Sequence, residues 1–355
     1  MPVRPDACPG VFALHDAADG ALARVRLPGG AVGAAALRVL AGCADDLGDG
    51  AVHLTSRGNV QLRGLDRDDH RLAERLTAAG LLPSPAHERA RNVLASPLSG
   101  IAGGLADVRA LAPALDRGLC ARPELAALPG RFLFALDDGR GDVAGEEPDL
   151  CWQAVSPGRG LLRVAGTPVA EVPIARAVAV LLDAAAEFLD GADGAWRARD
   201  VPGPQGPPAP AEPTAPPEGP TAARVGWVGG ALVCSPPLGE LSAAQLRVLA
   251  GAGPTVLVTP WRTLVLPDAA PGTDARLVAA GFVVDPASPV PLVSACAGRP
   301  GCAKALADVR ADARAGLAAD RFTGRVHLSG CARRCGSPRG AHRALVATGD
   351  GRYAG

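Results

Sequence analysis

An internal repeat is the feature of this sequence that most restricts its fold. The hexapeptide LRVLAG occurs at residues 37–42 and again at 246–251. In both places an apolar, strand-like segment with turn residues precedes it, and a helical stretch closes the unit. Between the hexapeptide and the closing helical stretch, each copy has a β-rich run, VHLTSRGNVQL at 52–62 in the first and VLVTPWRTLVL at 256–266 in the second. Each copy predicts the order strand, helix, strand, strand, helix, and the two copies predict a pseudo-twofold arrangement around a shared site.

The two copies differ in polarity at the turn between their last two strands. The first copy has Arg57, Asn59 and Gln61 there, so this strand end is rich in hydrogen-bonding groups. An ungapped alignment places Trp261 opposite Arg57 and Val265 opposite Gln61. We therefore expect ligand contacts on the first copy and a packing role for the second.

A proline-rich segment divides the chain. Residues 201–222 hold nine prolines and almost no large apolar side chain, which is typical of a semi-rigid linker. The predicted fold class is α+β, with two α/β half-domains and two mixed α/β domains. The predicted boundaries are 1–86 for the first half-domain, 87–200 for the first mixed domain, 201–222 for the linker, 223–288 for the second half-domain and 289–355 for the cysteine-bearing segment of the second mixed domain.

Composition excludes several classes of function. The 36 basic and 36 acidic residues cancel, so no strong field for nucleic acid or an anionic membrane surface is expected. No run of 18 apolar residues is present, and the first residues lack the apolar core of a secretory signal. These observations predict a cytoplasmic, soluble protein with no nucleic-acid or membrane partner. Lys304 is the one lysine, so an individual arginine carries less information than usual.

Four cysteines form two close pairs near the end of the chain. Cys296 and Cys302 are separated by five residues, and Cys331 and Cys335 by three. Structural zinc prefers two to four intervening residues in both pairs, whereas four thiolates of mixed spacing suit a [4Fe–4S] cluster. The residues alone leave the cluster, zinc and unligated thiols open. We also predict that a helix begins at the first pair and that its amides lower the thiolate pKa.

Two arginines, Arg333 and Arg334, lie between the second pair of cysteines. They would counter the negative charge of a four-thiolate cluster and raise its reduction potential, or they are ordinary surface charge.

The cysteine spacing, with a helix between the pairs, resembles the signature of the sulfite and nitrite reductase haemoprotein superfamily. Three more segments match in the expected order: ARVRLPGG at 23–30, LTSRGNVQL at 54–62 and RNVLASP at 91–97. The resemblance spans nearly the whole chain. It implies that the repeats are ferredoxin-like half-domains and that the four cysteines hold a [4Fe–4S] cluster. It also implies that Cys335 bridges to the iron of sirohaem.

The same resemblance assigns roles to arginines and amides of the first 200 residues. Arg24 and Arg91 match basic residues that reach the bound anion and are the implied catalytic residues. The implied tetrapyrrole- or substrate-binding residues are Arg24, Arg57, Asn59, Gln61, Arg91 and Arg131. One departure is that reductases have two lysines, one residue apart, where this chain has Arg131 and then Leu133. The loss of one cation leaves an apolar wall that suits a macrocycle better than a small anion.

Within the superfamily, the first 30 residues and the TPWR turn at 259–262 resemble the precorrin-3B synthase family. This implies oxygen-dependent hydroxylation and lactone formation on precorrin-3A, with dioxygen as co-substrate. The iron centre beside the cluster would be sirohaem or mononuclear non-haem iron, with His53 the first candidate ligand of the latter. No GxGxxG motif follows a strand, so we expect an external reductant delivered by a separate electron donor.

Two alternatives stay open. One is an assimilatory nitrite or sulfite reductase with sirohaem. The other is a non-catalytic iron–sulfur electron carrier or a zinc-stabilised binding module. Because superfamily members usually continue further than the 20 residues that follow Cys335, we expect weakened sirohaem retention.

Overall fold

The computed structural model describes residues 8–201, 223–349 and 351–355. Within these ranges the chain forms seven α-helices and four β-sheets of five, five, five and four strands. The α+β class is therefore confirmed. The predicted linker at 201–222 lies outside the described residues apart from Val201.

The first repeat contains five strands and two helices: β1 (His15–Ala17), β2 (Gly20–Val25), β3 (Ala31–Gly33), α1 (Ala34–Leu47), β4 (Ala51–Leu54), β5 (Val60–Leu65) and α2 (Arg71–Ala78). The first mixed domain follows with β6 (Val93–Ala95), α3 (Leu111–Cys120), β7 (Phe134–Asp137), β8 (Leu150–Ser156), β9 (Arg159–Val164), β10 (Thr167–Pro173) and α4 (Ala177–Gly191).

The second repeat contains β11 (Gly226–Val228), β12 (Ala231–Cys234), β13 (Glu240–Ser242), α5 (Ala243–Ala250), β14 (Thr255–Val258), β15 (Leu264–Leu266) and α6 (Thr273–Ala279). The cysteine-bearing domain contains β16 (Val293–Ala295), α7 (Val309–Ala318), β17 (Val326–Ser329), β18 (Arg343–Gly349) and β19 (Arg352–Ala354). Both repeats contain the predicted helix, strand, strand and helix in that order, and three strands precede the first helix where one was predicted. The repeat is therefore confirmed as a structural one.

The two repeats exchange one strand each. The sheet of the first repeat has the order β1-β2-β5-β4-β13, and that of the second has the order β11-β12-β15-β14-β3. The LRVLAG helices α1 and α5 pack together, and apolar residues of both repeats form one continuous core. Neither repeat completes its own sheet, so the ranges 1–86 and 223–288 mark sequence repeats that are interlocked in space.

The turns that differ in sequence have the same backbone conformation. In the first repeat the amide of Thr55 donates to the carbonyl of Asn59, and Thr259 makes the same bond to Thr263 in the second. Gly58 has φ 61° and Arg262 has φ 60°, a left-handed conformation that favours glycine. The ungapped alignment therefore holds in three dimensions, with Arg262 in the place of Gly58.

Candidate functional site

The two cysteine pairs meet because β16 and β17 are neighbouring parallel strands. Their carboxyl ends lie at the same edge of the sheet. Cys296 directly follows β16, and Cys331 lies two residues after the end of β17. Cys302 and Cys335 lie further along the same two loops, so the topology gathers all four thiols at one edge.

The four thiols are near one another without forming a compact zinc-like set. Desolvation raises the pKa of the Cys335 thiol, and the thiols of Cys296, Cys331 and Cys302 raise it further. Among the described residues, no three of these sulfurs lie within 4.8 Å of one another. Zinc–sulfur bonds of 2.3 Å in a tetrahedron would bring the sulfurs to about 3.8 Å. The wider spacing fits a cubane cluster better than a single zinc ion.

Glycines allow the backbone to approach this set closely. The amide of Gly330 donates to Sγ of Cys296 at 3.2 Å. A Cβ atom at Gly330 would lie 2.6 Å from Cβ of Ala305, so a side chain there would displace the loop. Gly298 has φ 68°, and its Cβ would lie 2.7 Å from Cγ2 of Val309. N–H bonds to cluster thiolates and close backbone approach are features of iron–sulfur sites, and these residues fit one.

The helix prediction at the first cysteine pair is wrong. Helix α7 begins at Val309, seven residues after Cys302, and the side chain of Asp308 caps it by accepting from the amide of Ala311 at 3.0 Å. Leu306, three residues before α7, is 41% exposed. Residues 299–308 instead form turns, with a cis peptide before Pro300. The α7 amides are therefore capped by aspartate and do not act on the thiols.

One face of the first sheet carries a polar row that leads toward the cysteines. Arg24 of β2 pairs with Gln61 of β5, Gln61 with His53 of β4, and His53 with Glu240 of β13. Residues opposite one another in a sheet share a face. Arg310 of α7 forms an ion pair with Glu240 and donates to the carbonyl of Cys296 at 3.3 Å. This face of the first repeat therefore adjoins the cysteine loops.

Arg24 lies in β2, and Arg26 directly follows this strand. Both have guanidinium nitrogens that lack a hydrogen-bond partner among the described residues. Arg26 is 2% exposed, and its Nη1 donates weakly to the carbonyl of Arg24 at 3.4 Å. Nε and Nη2 of Arg26 and Nε of Arg24 are buried and lack a hydrogen-bond partner among the described residues. Burial, and then the charge of Arg24, lower the pKa of Arg26 to about 9. Because unpaired buried donors are costly, this arrangement is suited to receive an anionic acceptor.

Arg26 was not among the predicted site residues, although the sequence carried a signal for it. In ARVRLPGG, arginines alternate with alanine and valine, and a strand period of two places Arg24 and Arg26 on one face.

Arg57 and Gln61 join the same group. Oε1 of Gln61 accepts from Nη2 of Arg24 at 3.5 Å. Burial, and then the charges of Arg197 and Arg24, lower the pKa of Arg57 to about 10. Four residues, Arg24, Arg26, Arg57 and Gln61, therefore form what we call the arginine cluster. Arg197, which pairs with Asp149 at 2.8 Å, lies at its border and was also missed from sequence.

Asn59 has a structural role. It is 1% exposed, and its Oδ1 accepts from the amide of Leu27 at 2.9 Å. Its Nδ2 donates to Oδ1 of Asn92 at 3.2 Å. The side chain ties the turn of the first repeat to neighbouring segments, so the structure does not support the predicted contact with a tetrapyrrole.

The guanidinium of Arg91 also forms its hydrogen bonds within the protein. Its Nε and Nη2 donate to the carboxylate of Asp116 on α3 at 2.6 and 2.8 Å, and Nη1 donates to the carbonyl of Leu81 at 3.0 Å. The guanidinium is 3% exposed and fully paired. The predicted catalytic role of Arg91 is therefore not supported by this geometry.

His53 does not have a free ring nitrogen for iron. Its Nε2 lies 3.2 Å from Oδ2 of Asp49, and its Nδ1 lies 3.0 Å from Nη1 of Arg310. Since the guanidinium donates, Nδ1 accepts and Nε2 carries the proton. Both ring nitrogens of His53 are therefore engaged, and this geometry does not support the predicted role as an iron ligand.

Arg131 is exposed, and its guanidinium carbon lies 4.9 Å from the ring centre of Trp196. Leu133 is 2% exposed and packs with Leu94 and Val143 in a small apolar cluster. The expected apolar wall at Leu133 is therefore part of the core.

A cleft lies between the turns of the two repeats and the cysteine-bearing domain. Its lining includes Ser56, Glu146, Trp261, Arg262 and Arg325. Burial lowers the pKa of Arg262 to about 10 and raises the pKa of Glu146. The second repeat thus contributes charged groups as well, and a packing role alone does not describe it.

Comparison with known proteins places these features in context. Residues 15–79 match the family model described as nitrite/sulfite reductase ferredoxin-like half domain. A precorrin-3B synthase from Sinorhizobium sp is 27% identical, over 98% of this chain and 82% of that protein. A ferredoxin–nitrite reductase from Synechococcus elongatus is 36% identical, over 37% of this chain and 27% of that protein.

A similar solved structure is that of the Mycobacterium tuberculosis NirA protein, with a TM-score of 0.65 and 22% sequence identity. The match covers 89% of this chain and 69% of the NirA chain. In the described ranges, no helix combines the length and apolar character needed to cross a membrane. Residues 15–79 therefore match the ferredoxin-like half domain of the nitrite and sulfite reductases, the chain has the fold of the NirA protein, and it is similar to a precorrin-3B synthase along nearly its whole length.

Proposed function

We propose that this oxidoreductase hydroxylates a tetrapyrrole, with precorrin-3A as substrate and precorrin-3B as product. The observation that carries the proposal is the buried arginine cluster, in which three guanidinium nitrogens of Arg24 and Arg26 lack acceptors among the described residues. Tetrapyrrole intermediates carry several carboxylates, and a carboxylate is the acceptor that a guanidinium binds best. The likeness to precorrin-3B synthase over 98% of the chain supports the same substrate class.

The proposed reaction balances as a monooxygenation. One atom of dioxygen becomes a hydroxyl on a meso carbon that belongs to a C=C bond, and the other leaves as water. Two electrons from an external reductant and two protons reduce that second atom. A substrate carboxylate oxygen adds to the neighbouring carbon of the same C=C bond, so that the double bond is broken, the carboxyl proton passes to the new hydroxyl, and the lactone closes without loss of a further water. A separate electron donor would supply the electrons, as expected from the sequence.

The four cysteines fit the iron–sulfur cluster that this chemistry requires. Cys296, Cys302, Cys331 and Cys335 would hold a [4Fe–4S] cluster. When bound, this cluster would relay electrons, and an adjacent sirohaem or mononuclear iron would supply oxygen activation. Cys335 is the most exposed of the four thiols, which suits the predicted bridge to a sirohaem iron. Arg24, Arg26 and Arg57 would bind substrate carboxylates, with Gln61 orienting Arg24.

The test is an aerobic assay of reconstituted protein with precorrin-3A, a chemical reductant and ¹⁸O₂. We expect a product that has gained one oxygen atom, labelled from the gas. Substrate recovered unchanged by protein with a full complement of iron would overturn the proposal.

A nitrite or sulfite reductase is the second candidate, because the same unpartnered guanidinium nitrogens would bind a small anion. This reading predicts a strong sirohaem absorption band and oxidation of a reduced dye that depends on added nitrite or sulfite. Metal analysis separates both from a zinc-stabilised module, which would contain zinc and no iron. An electron carrier would contain the cluster and is separated by activity, because it would convert neither substrate.

A further inference from the structure

Side chains from outside the cysteine loops hold the backbone carbonyls next to the cysteines. Arg310 of α7 donates to the carbonyl of Cys296 at 3.3 Å, and Arg63 of β5 donates to that of Gly301 at 2.6 Å. Arg262, in the turn of the second repeat, donates to the carbonyl of Gly336 at 2.7 Å. Three arginines from three different elements therefore fix the loops that carry Cys296, Cys302 and Cys335.

The second loop has an additional contact. His327 of β17 is fully buried, and its Nε2 lies 3.2 Å from the carbonyl of Cys335. A carbonyl only accepts, so Nε2 carries the proton, and Nδ1 accepts from the hydroxyl of Ser294 at 2.9 Å. The carbonyls of two successive residues, Cys335 and Gly336, are thus both held.

Arg262 adopts an unfavourable backbone conformation to make its contact. Its φ of 60° is in the left-handed region, and the equivalent position of the first repeat is Gly58. A non-glycine residue in this region is strained and persists where the surroundings require its side chain. The side chain of Arg262 spans from the turn to the loop of Cys335, which gives the strain a physical reason.

The three arginines differ in how far their charge is neutralised. Arg63 forms a bidentate pair with Asp19 at 2.8 and 2.9 Å, and Arg310 is paired with Glu240. The acidic neighbour of Arg262 is Glu146, which forms no ion pair with it in the described part of the chain. Of these three arginines, Arg262 is therefore the one whose positive charge is not paired with a carboxylate.

Arg333 and Arg334, the arginines between the cysteines, differ from this group. Both are exposed to solvent, where charge is screened. They make a matched surface control for a partly buried arginine at the same loop.

We propose that Arg63, Arg262 and Arg310 are the positioning residues of the two cysteine loops, and that Arg262 supplies the charge that makes the bound cluster easier to reduce. This inference rests on the proposed iron–sulfur cluster. Positive charge and fixed hydrogen bonds near a cluster raise its reduction potential, because the reduced cluster carries one more negative charge.

The test uses full-length protein reconstituted anaerobically with iron and sulfide. Its iron content is measured first. The reduction potential of the cluster is then determined by a potentiometric titration in which electron paramagnetic resonance detects the reduced cluster. Arg262→Gly relieves the backbone strain, so folding is preserved while the charge and the contact are lost. We expect it to disfavour one-electron reduction about tenfold, a shift of 59 mV to lower potential. Arg262→Lys, which keeps the charge, should recover most of this shift, and the double variant Arg333→Ala with Arg334→Ala should match the wild type.

A positioning role also predicts faster loss of iron. Arg310→Met should increase the rate of iron release to a chelator about tenfold, which is the scale expected for groups that orient metal ligands. Normal iron content with an unchanged potential in Arg262→Gly would overturn the inference and leave the proposed function intact. An equal shift in the Arg333/Arg334 double variant would also overturn it. Wild-type protein that takes up no iron would instead overturn the cluster itself, and the inference with it.

Discussion

Replacing Arg26 with methionine should stabilise the ligand-free protein and weaken substrate binding. Methionine is flexible and apolar and replaces the aliphatic part of the arginine side chain without its charge. Arg26 is 2% exposed, and Nε and Nη2 have no partner among the described residues. Arg26 therefore lowers the free energy of unfolding when no anion is bound, as expected of a residue whose role is to bind an anion.

The size of the effect follows from the pKa. Burial, and then the charge of Arg24, lower the pKa of Arg26 from its ordinary value to about 9, which corresponds to about 5 kcal/mol against the charged form as an upper bound. Methionine also loses the 3.4 Å bond to the carbonyl of Arg24, which costs about 1 kcal/mol. We expect a net increase of about 2 to 4 kcal/mol in the free energy of unfolding, in the range found when buried charges are replaced by apolar groups.

The increase in the free energy of unfolding caused by Arg26→Met should depend on pH. Because the pKa of Arg26 is lower in the folded protein than in the unfolded chain, the destabilisation by its buried charge is complete below about pH 9 and is relieved as pH rises above that value. The difference between the variant and the wild type should therefore be constant at neutral pH and shrink above about pH 9.

Urea denaturation of metal-free protein measures the stability, and quenching of intrinsic fluorescence by precorrin-3A measures the affinity. Arg63→Met is the matched control, since Arg63 is 6% exposed on the same sheet face but is fully paired with Asp19 and Gly301. Loss of that pair should lower stability by about 3 kcal/mol. If Arg26→Met is also destabilised, Arg26 has a structural partner and the argument for an anion site is refuted.

Three further predictions test other parts of the structure. Gly330→Ala should abolish iron incorporation without unfolding the protein, as measured by iron analysis and circular dichroism, because its Cβ would lie 2.6 Å from that of Ala305. Asn59→Ala should lower the free energy of unfolding by about 2 kcal/mol in urea, since it leaves the amide of Leu27 without its acceptor. Burial and then the charge of Asp137 raise the pKa of Asp142 to about 7, so this carboxyl makes the fold less stable as pH rises from about 4 to 7. The stability of Asp142→Asn relative to the wild type should therefore increase across that interval, and a flat difference would contradict the assignment.

The fold was largely predictable because its information is local and repeated. Two copies of one hydrophobic pattern predict two copies of one unit, and close cysteine pairs predict a metal site regardless of their surroundings. The helix after Cys302 was misplaced because glycines and a proline at 298–301 favour turns, and an aspartate at 308 provides a better cap.

The roles of individual arginines were less predictable. Arg91 and Arg24 both follow from motif resemblance, but only the fold shows that Asp116 neutralises Arg91 while Nε of Arg24 is left unpaired. The partner of a long side chain is set by packing between segments distant in sequence, and a periodic pattern reports only the face on which the residue lies. The same limit hid the contact between Arg262 and Gly336, which joins residues 74 positions apart.

The strand exchange between the repeats has a consequence for how the chain is synthesised and folded. Strand β4 is bordered by β13, with Ala51 opposite Ser242, so the edge of the first sheet stays open until the second repeat has left the ribosome. An open edge with buried apolar neighbours is a template for pairing with another chain. We therefore expect a fragment of residues 1–200 to self-associate when expressed alone, and co-expression with residues 223–355 to rescue it. The interlocked repeats thus make folding of the first half depend on the arrival of the second.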